Sequence, residues 1–291
     1  MLSFQGIILK LLDFWANQGC VLLQAYDLEM GAGTTHPSSV LYALGPKPWR
    51  MAFVQPSRRP GDGRYGANPN RLLRYYQFQV ILKPAPFNVQ DLLLQSYQAL
   101  GLDLLHNDLR FVEDDWANPS LGAAGLGWEV WFNGMEITQF TYFQQVGGMD
   151  CEVIPAEITY GLERIAMCVQ GKERISDLIW NTPQGLDATT YGEMSERSEQ
   201  EFSQWYFEKA PIHIVERHFE DALYCADALL KDGLALPAYD QCIQANHLFN
   251  MLEARGAIGV SGRAQYVQRV RSHVSRCCAA WISDPLTSCN A

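Results

Sequence analysis

The stretch Trp128-Glu129-Val130-Trp131-Phe132-Asn133-Gly134-Met135-Glu136-Ile137-Thr138-Gln139-Phe140-Thr141-Tyr142-Phe143-Gln144-Gln145 alternates aromatic or β-branched residues with polar ones around one Asn-Gly pair. Asn-Gly is a strong hairpin signal, because both central positions of a type I′ turn need positive φ. The segment is therefore read as two antiparallel strands. Period-2 geometry puts Glu129, Trp131 and Asn133 on one face of the incoming strand. Glu136 lies just past the turn, close enough across the hairpin for the two carboxylates to share a cation. Two carboxylates beside substrate phosphates suit Mg²⁺, which keeps several waters and dehydrates reluctantly. The competing reading is an edge hairpin with two solvated glutamates.

Downstream, Ile158, Leu162, Ile165, Ala166 and Val169 recur at helical spacing, which predicts a helix over residues 157–171. On that helix Glu157, Gly161 and Arg164 share a stripe, since offsets of four and seven return to nearly the same direction. A glycine inside a helix costs roughly 1 kcal/mol relative to alanine, so close approach of a ligand is one reason for Gly161. Arg164 would then grip a phosphate with its planar fork. A helix-packing glycine beside a surface arginine is the plainer alternative.

Residues 51–84 read as strand, loop and strand. The loop and its end carry Arg58, Arg59, Arg64, Arg71 and Arg74. In a chain of formal net charge −10, that cationic cluster asks for an anionic partner. On the second strand Tyr75, Gln77 and Gln79 face one side and Tyr76, Phe78 and Val80 the other.

These residues resemble class II aminoacyl-tRNA synthetases. The arginine-bearing strand-loop-strand looks like motif 2 of that family, and Gly161-Leu162-Glu163-Arg164 looks like motif 3. The runs Gln55-Pro56-Ser57-Arg58-Arg59-Pro60, Asp62-Gly63-Arg64-Tyr65-Gly66, Tyr75-Tyr76-Gln77-Phe78-Gln79 and residues 139–145 resemble the α-subunit family of the bacterial heterotetrameric glycyl-tRNA synthetases, over essentially the whole chain. The opening of motif 2 departs from the usual Phe-Arg-x-Glu, so the arginine on the α-phosphate is Arg58 or Arg59.

The resemblance implies an α+β fold: a class II antiparallel β-sheet flanked by helices, with an all-helical C-terminal appendage. The catalytic domain would span 1–195 and the helical domain 196–291. It implies an ATP-dependent glycine–tRNA ligase that forms glycyl-adenylate and passes glycine to tRNA(Gly). Arg58 or Arg59 and Arg164 would be catalytic, with Arg164 on the γ-phosphate. Arg74, Gln77, Phe78 and Gly161 would bind ATP, Phe78 by stacking on adenine. Glu129 and Glu136 would hold Mg²⁺. For glycine, a small pocket of Thr35, Gln79, Trp116 and Glu157 is expected, with Thr34 close by. The implied partners are a larger β subunit, two α with two β, and an α–α homodimer. Other readings are a class II-like ligase for another carboxylate and a regulatory paralogue that does not act on tRNA.

Composition fits a cytoplasmic enzyme subunit. With 48% hydrophobic and 12% aromatic residues, the 291-residue chain can bury a large core. No apolar run approaches the ~20 residues that span a bilayer, so no membrane role is expected. No leader is expected before Phe4. Eight cysteines without Cys-x-x-Cys spacing read as reduced core thiols. His36, in the glycine-rich loop, is the one histidine singled out. Helices are expected from Phe4 to a stop at Gly19 and from an Asn88 cap to Gly101. Three more are expected near 212–230, 238–254 and 261–282, the last capped by Ser261. Gln265, Arg269 and Arg271 on that last helix are a possible RNA-facing surface, against a simply solvated face.

Overall fold

The computed structural model describes residues 1–284. In chain order the elements are α1 (Phe4–Asn17), β1 (Val21–Leu22), α2 (Pro37–Val40), β2 (Trp49–Arg58), β3 (Arg74–Lys83), α3 (Val89–Ala99), β4 (Leu109–Asn118), β5 (Ala123–Phe132), β6 (Met135–Val146), β7 (Met149–Asp150), β8 (Ala156–Gly161), α4 (Leu162–Gln170), β9 (Ile179–Asn181), β10 (Thr189–Thr190), α5 (Tyr191–Gln204), α6 (Ile212–Lys231), α7 (Ala235–Ala254) and α8 (Val260–Ser283). A π-helical turn, Trp205–Lys209, joins α5 to α6. The expected α+β class is what the molecule adopts.

The hairpin forms as its sequence dictates. Asn133 and Gly134 take φ of 49° and 80°, and β5 and β6 leave them antiparallel. They belong to an eight-stranded sheet of order β1-β2-β3-β8-β6-β5-β4, with β7 on β6. Apart from the short parallel β1–β2 pair, every pairing is antiparallel.

One expected element is of another kind. Residues 156–161 are a strand, β8, inserted between β3 and β6; the helix begins only at Leu162. Ile158, Leu162 and Ile165 fit helical spacing, but Ala156, Ile158 and Tyr160 also alternate strictly and enter the core on one face. Glu157, Thr159 and Gly161 therefore point to the opposite face of a central strand, and Gly161 is the N-cap of α4.

Two cores sandwich the sheet. One face packs on α1, α3 and α4 through Phe4, Trp15, Tyr97, Phe78, Phe140 and Tyr160. Toward the other, Met51, Phe53, Ile81 and Phe143 meet Phe219, Tyr239, Ile243 and Val274 of α6, α7 and α8. The C-terminal helices thus share a core with the sheet. Gly19 stops α1 with φ of 81°, as expected. Asn88 stands at the N-cap of α3 without a side-chain capping bond, and Gly259, not Ser261, caps α8.

Candidate active site

The α6–α8 side of the sheet carries a cleft of about 430 Å³. Gln77, Glu157, Thr159, Gly161, Glu136 and Gln139 line its sheet wall, and Arg164 enters from the first turn of α4. The loop after β2 contributes Arg59, Asp62 and Arg71 to the rim.

At the floor is Glu157, 1% exposed. Its Oε2 accepts from the Thr34 hydroxyl at 3.0 Å, and its Oε1 accepts from the Gln79 amide. Thr159 Oγ1 donates to Gln79 Oε1 at 2.9 Å, which orients that amide. Among the described residues no cation touches the carboxylate, and burial raises its pKa to about 8. Gly33 lies so close that a Cβ there would sit 2.8 Å from Gln79 Oε1. A glycine is needed at that position for the loop to close over the amide. Gln77 Oε1 accepts from the Gly33 N–H at 2.8 Å, which pins the loop. Trp116 completes one wall, stacked on Phe143 at 5.1 Å.

Glu136 and Arg164 form the other end. The guanidinium donates to the Glu136 carboxylate at 2.9 Å and to its carbonyl at 3.0 Å, and stays 40% exposed. Glu163 lies beneath them, accepting from the Tyr76 N–H at 2.8 Å and the Tyr191 hydroxyl at 2.7 Å. Burial lifts its pKa to about 7. Gly161 has ordinary φ, and a Cβ there would meet only Ile137 O at 3.5 Å. Packing within the chain leaves room for a methyl group at Gly161.

The sequence-derived residues divide. Arg59, Arg164, Gln77, Gly161, Trp116, Glu157 and Glu136 line the cleft, and Gln79 backs Glu157. Of the two open arginines, Arg59 borders the cleft, with its guanidinium over the Tyr75 ring and its Nε on Gly31 O at 3.1 Å. Arg58 turns away to an ion pair with Glu29, and its guanidinium lies 4.5 Å over the Phe202 ring.

Three assignments need correction, and the histidine singled out has a structural place. Phe78 is fully buried against Tyr160 on the opposite face of the sheet, so no base can stack on it. Arg74 shares that strand face and does not line the cleft; its backbone N–H is held by Glu199 at 3.2 Å. Thr34, not Thr35, reaches Glu157; the Thr35 carbonyl accepts from Tyr239 and the residue borders a neighbouring groove. His36 is a structural residue packed between Tyr26 and Phe53, its Nδ1 accepting from the Ser38 N–H.

Glu129 stands apart from Glu136. Glu136 pairs with Trp131 directly beyond the turn, and an extra residue at Ile137 then sets Gln139 opposite Glu129, two residues farther along β5. Trp131 Nε1 donates to Glu129 at 2.9 Å. Among the described residues no three His, Cys, Asp or Glu side chains group as a closed metal cage. The set suits an ion that arrives with phosphates: one cleft carboxylate, Glu136, and a second behind it on the same sheet face.

Sequence reasoning missed Asp62 and Glu163 as cleft residues; it counted Arg71 in the cationic cluster and put Tyr75 on the face of Gln77 and Gln79, without giving either a site role. Tyr75 was findable, since it alternates with Gln77 and Gln79. On α8, Arg269 is tied to Glu220 at 2.7 Å, which takes one of the three proposed surface residues out of play. Among the described residues all cysteines are free thiols, with Cys225 exposed; Cys289 lies outside the described residues. No described helix is long and apolar enough to cross a membrane.

With this geometry in view, the family model of the glycyl-tRNA synthetase alpha subunit matches residues 4–285. The chain belongs to the glycyl-tRNA synthetase alpha subunit family. It is 53% identical over 281 residues to the glycine–tRNA ligase alpha subunit of Rickettsia bellii, covering 97% of each chain. To that of Rickettsia canadensis it is 54% identical, covering 97% of this chain and 98% of the relative. A solved pyrrolysyl tRNA synthetase from Desulfitobacterium hafniense matches 66% of this chain and 77% of its own, with a TM-score of 0.45 and 13% identity. Family membership makes the activity that of a glycine–tRNA ligase and favours neither a ligase for another acid nor a silent paralogue.

Proposed function

We propose that this cleft activates glycine with ATP and hands it to tRNA(Gly). The observation that carries the reading is the Glu157 floor: a buried carboxylate with two neutral donors and no cation, at the bottom of a pocket rimmed by Arg59 and Arg164. Glycine offers an ammonium and a carboxylate and nothing else. The ammonium meets Glu157, and the carboxylate points toward Arg59. Trp116 walls the cleft and Gln79 backs its floor, and a side chain on the substrate would have to be accommodated against them, which is how such a pocket would reject a larger amino acid.

No enzyme nucleophile is needed. A glycine carboxylate oxygen attacks the α-phosphorus and the bond to pyrophosphate breaks; the terminal ribose hydroxyl of the RNA then attacks the glycyl carbonyl and AMP leaves. Arg59 holds the α-phosphate and carboxylate in line, and Arg164 takes the γ-phosphate end, positioning and neutralising charge as it develops. Gly161 gives the phosphates a close approach to the backbone. Glu136, backed by Glu129, would hold Mg²⁺, which supplies Lewis-acid neutralisation when bound.

The acidic chain, at formal net charge −10, has no broad basic footprint for RNA. In this reading a separate β subunit recognises most of the tRNA, two α chains pair with each other and with two β in the cytoplasm, and the catalytic unit spans about 1–195 with the helices beyond as its appendage. The test is ATP–pyrophosphate exchange on the chain mixed with its β subunit. Glycine, but not alanine or serine, should drive exchange, and Arg164→Ala should abolish it. Exchange driven equally by alanine, or unaffected by the substitution, overturns the reading.

A further inference from the structure

Arg58, the residue before the cleft arginine, is held away from the cleft by a chain of contacts that starts on α7. There the His247 side chain is only 6% exposed, and its Nε2 meets Glu29 Oε2 at 3.0 Å. The other oxygen of Glu29 is ion-paired with the Arg58 guanidinium, which also donates to the Tyr206 hydroxyl at 3.3 Å and lies over the Phe202 ring. The His247 imidazole, and after it the Arg58 guanidinium, holds the Glu29 carboxyl below its ordinary value. Among the described residues His247 Nδ1 is buried without a hydrogen-bond partner. An apolar side chain would fill that place and leave no buried polar atom unpaired, so the polar use of this imidazole is its contact with Glu29.

Glu29 opens a short segment that is clasped to the end of β2. The Arg58 N–H donates to Met30 O at 2.8 Å, the Arg58 guanidinium pairs with Glu29, and Arg59 Nε donates to Gly31 O at 3.1 Å. Tyr75, whose ring lies against the Arg59 guanidinium, donates its hydroxyl to the same Gly31 carbonyl at 2.9 Å. Successive residues of an extended chain point to opposite sides, so holding Arg58 outward commits Arg59 to the cleft. The Glu29 side chain is 48% exposed, and an ion pair so open to water contributes little to stability. The clasp supplies orientation instead.

We propose that His247 and Glu29 are positioning residues for activation, holding the 29–31 segment and Arg58 so that the Arg59 guanidinium is set for the α-phosphate. The inference rests on the role given to Arg59 in the glycine-activation reading above. Neither residue lines the catalytic cleft; both border a separate groove between α6 and α7, and both act through Arg59. Chemistry on the sheet thereby depends on a helix of the C-terminal appendage being seated.

The experiment measures glycine-dependent ATP–pyrophosphate exchange, per folded molecule, on the chain with its β subunit. The variants are His247→Leu, His247→Gln and Glu29→Ala, with Arg59→Ala alongside. Leucine keeps most of the volume and removes the contact, whereas the glutamine amide nitrogen can stand where Nε2 does. In His247→Leu and Glu29→Ala, kcat should fall by about tenfold, because a displaced positioning group costs rate. The KM values for ATP and glycine should stay within about threefold, since Arg164 and Glu157 are untouched, and His247→Gln should recover kcat to within about threefold of wild type. An unchanged kcat in His247→Leu, an equal loss in the leucine and glutamine variants, or a loss confined to the folded fraction or to the KM for glycine overturns the positioning role. Exchange that survives Arg59→Ala at the wild-type rate overturns instead the α-phosphate assignment on which the inference rests. Absence of glycine-dependent exchange in the wild-type complex overturns the activation reading itself.

Discussion

Two titratable side chains lie buried to the same extent in adjacent strands, and they are held in opposite ways. Lys83, at the end of β3, and Glu157, on β8, are each 1% exposed. The Lys83 ammonium donates to the carbonyls of Tyr42, Leu44 and Gly45 at 2.6, 2.9 and 3.0 Å, which uses all three of its N–H groups. Among the described residues Glu157 accepts only from Thr34 and Gln79, about half of the lone-pair sites of a carboxylate. A saturated buried charge ties backbone together. An unsaturated one at the floor of a cleft is a receptor for something cationic. Burial alone separates neither, and both pKa values move to about 8, from opposite directions.

The sharpest way to break this contrast is Glu157→Gln. If the carboxylate receives the glycine ammonium, kcat/KM for glycine in exchange should fall about a hundredfold or more, near 3 kcal/mol, while the KM for ATP changes little. Stability should hold or rise, because a buried carboxyl that is costly to ionise has been replaced by an isosteric amide. A variant that keeps its glycine activity, or that loses stability instead, removes the receptor role.

Lys83→Met tests the other side. It leaves three carbonyls at the end of β3 without their donor, and the net loss of stability should be on the order of 3 kcal/mol, softened by relief of the buried charge. Chemical denaturation reads that loss directly. Exchange per folded molecule should remain, since Lys83 lies among Tyr42, Trp49 and Trp281, away from the cleft. A catalytic defect in the folded fraction, with stability unchanged, would reverse the contrast.

The roles of these residues were unevenly legible in the sequence. The Asn133-Gly134 turn could be read because positive φ at two consecutive residues admits few alternatives. The cleft face of β3 could be read from alternation alone, which puts Gln77 and Gln79 together. The same alternation puts Phe78 on the opposite face, against its expected stacking role; only its complete burial, which depends on α1, α3 and β8 closing over that face, was beyond the sequence. Glu157 was expected on the right site but on the wrong element. Its neighbours satisfy periods of both 3.6 and 2, and only the long-range pairing of β8 with β3 and β6 decides between them. The choice of Arg59 over Arg58 turns on where β2 ends. Arg58 is the last strand residue and faces Phe202, and Arg59 is the first to leave the sheet.

The pH dependence of stability distinguishes the two groups by sign. Between its ordinary value near 4.5 and about 8, folded Glu157 keeps a proton that the unfolded chain has released. Stability of the glycine-free chain should therefore decline as pH rises through that window, by at most about 1.4 kcal/mol per pH unit from this one group. Glu163, lifted to about 7, adds a decline of the same sign, so the Glu157 share is the difference between wild type and Glu157→Gln. Lys83 works in the next window. Between about 8 and 10.5 the unfolded chain holds a proton that the folded one has shed, and stability should recover as pH rises. Unfolding free energies measured from pH 5 to pH 10 should lose part of the fall in Glu157→Gln and the recovery in Lys83→Met. Slopes unchanged by Glu157→Gln would mean that the carboxylate is already ionised in the folded chain. Glycine binding would then release no proton, and its affinity would not tighten as pH approaches 8.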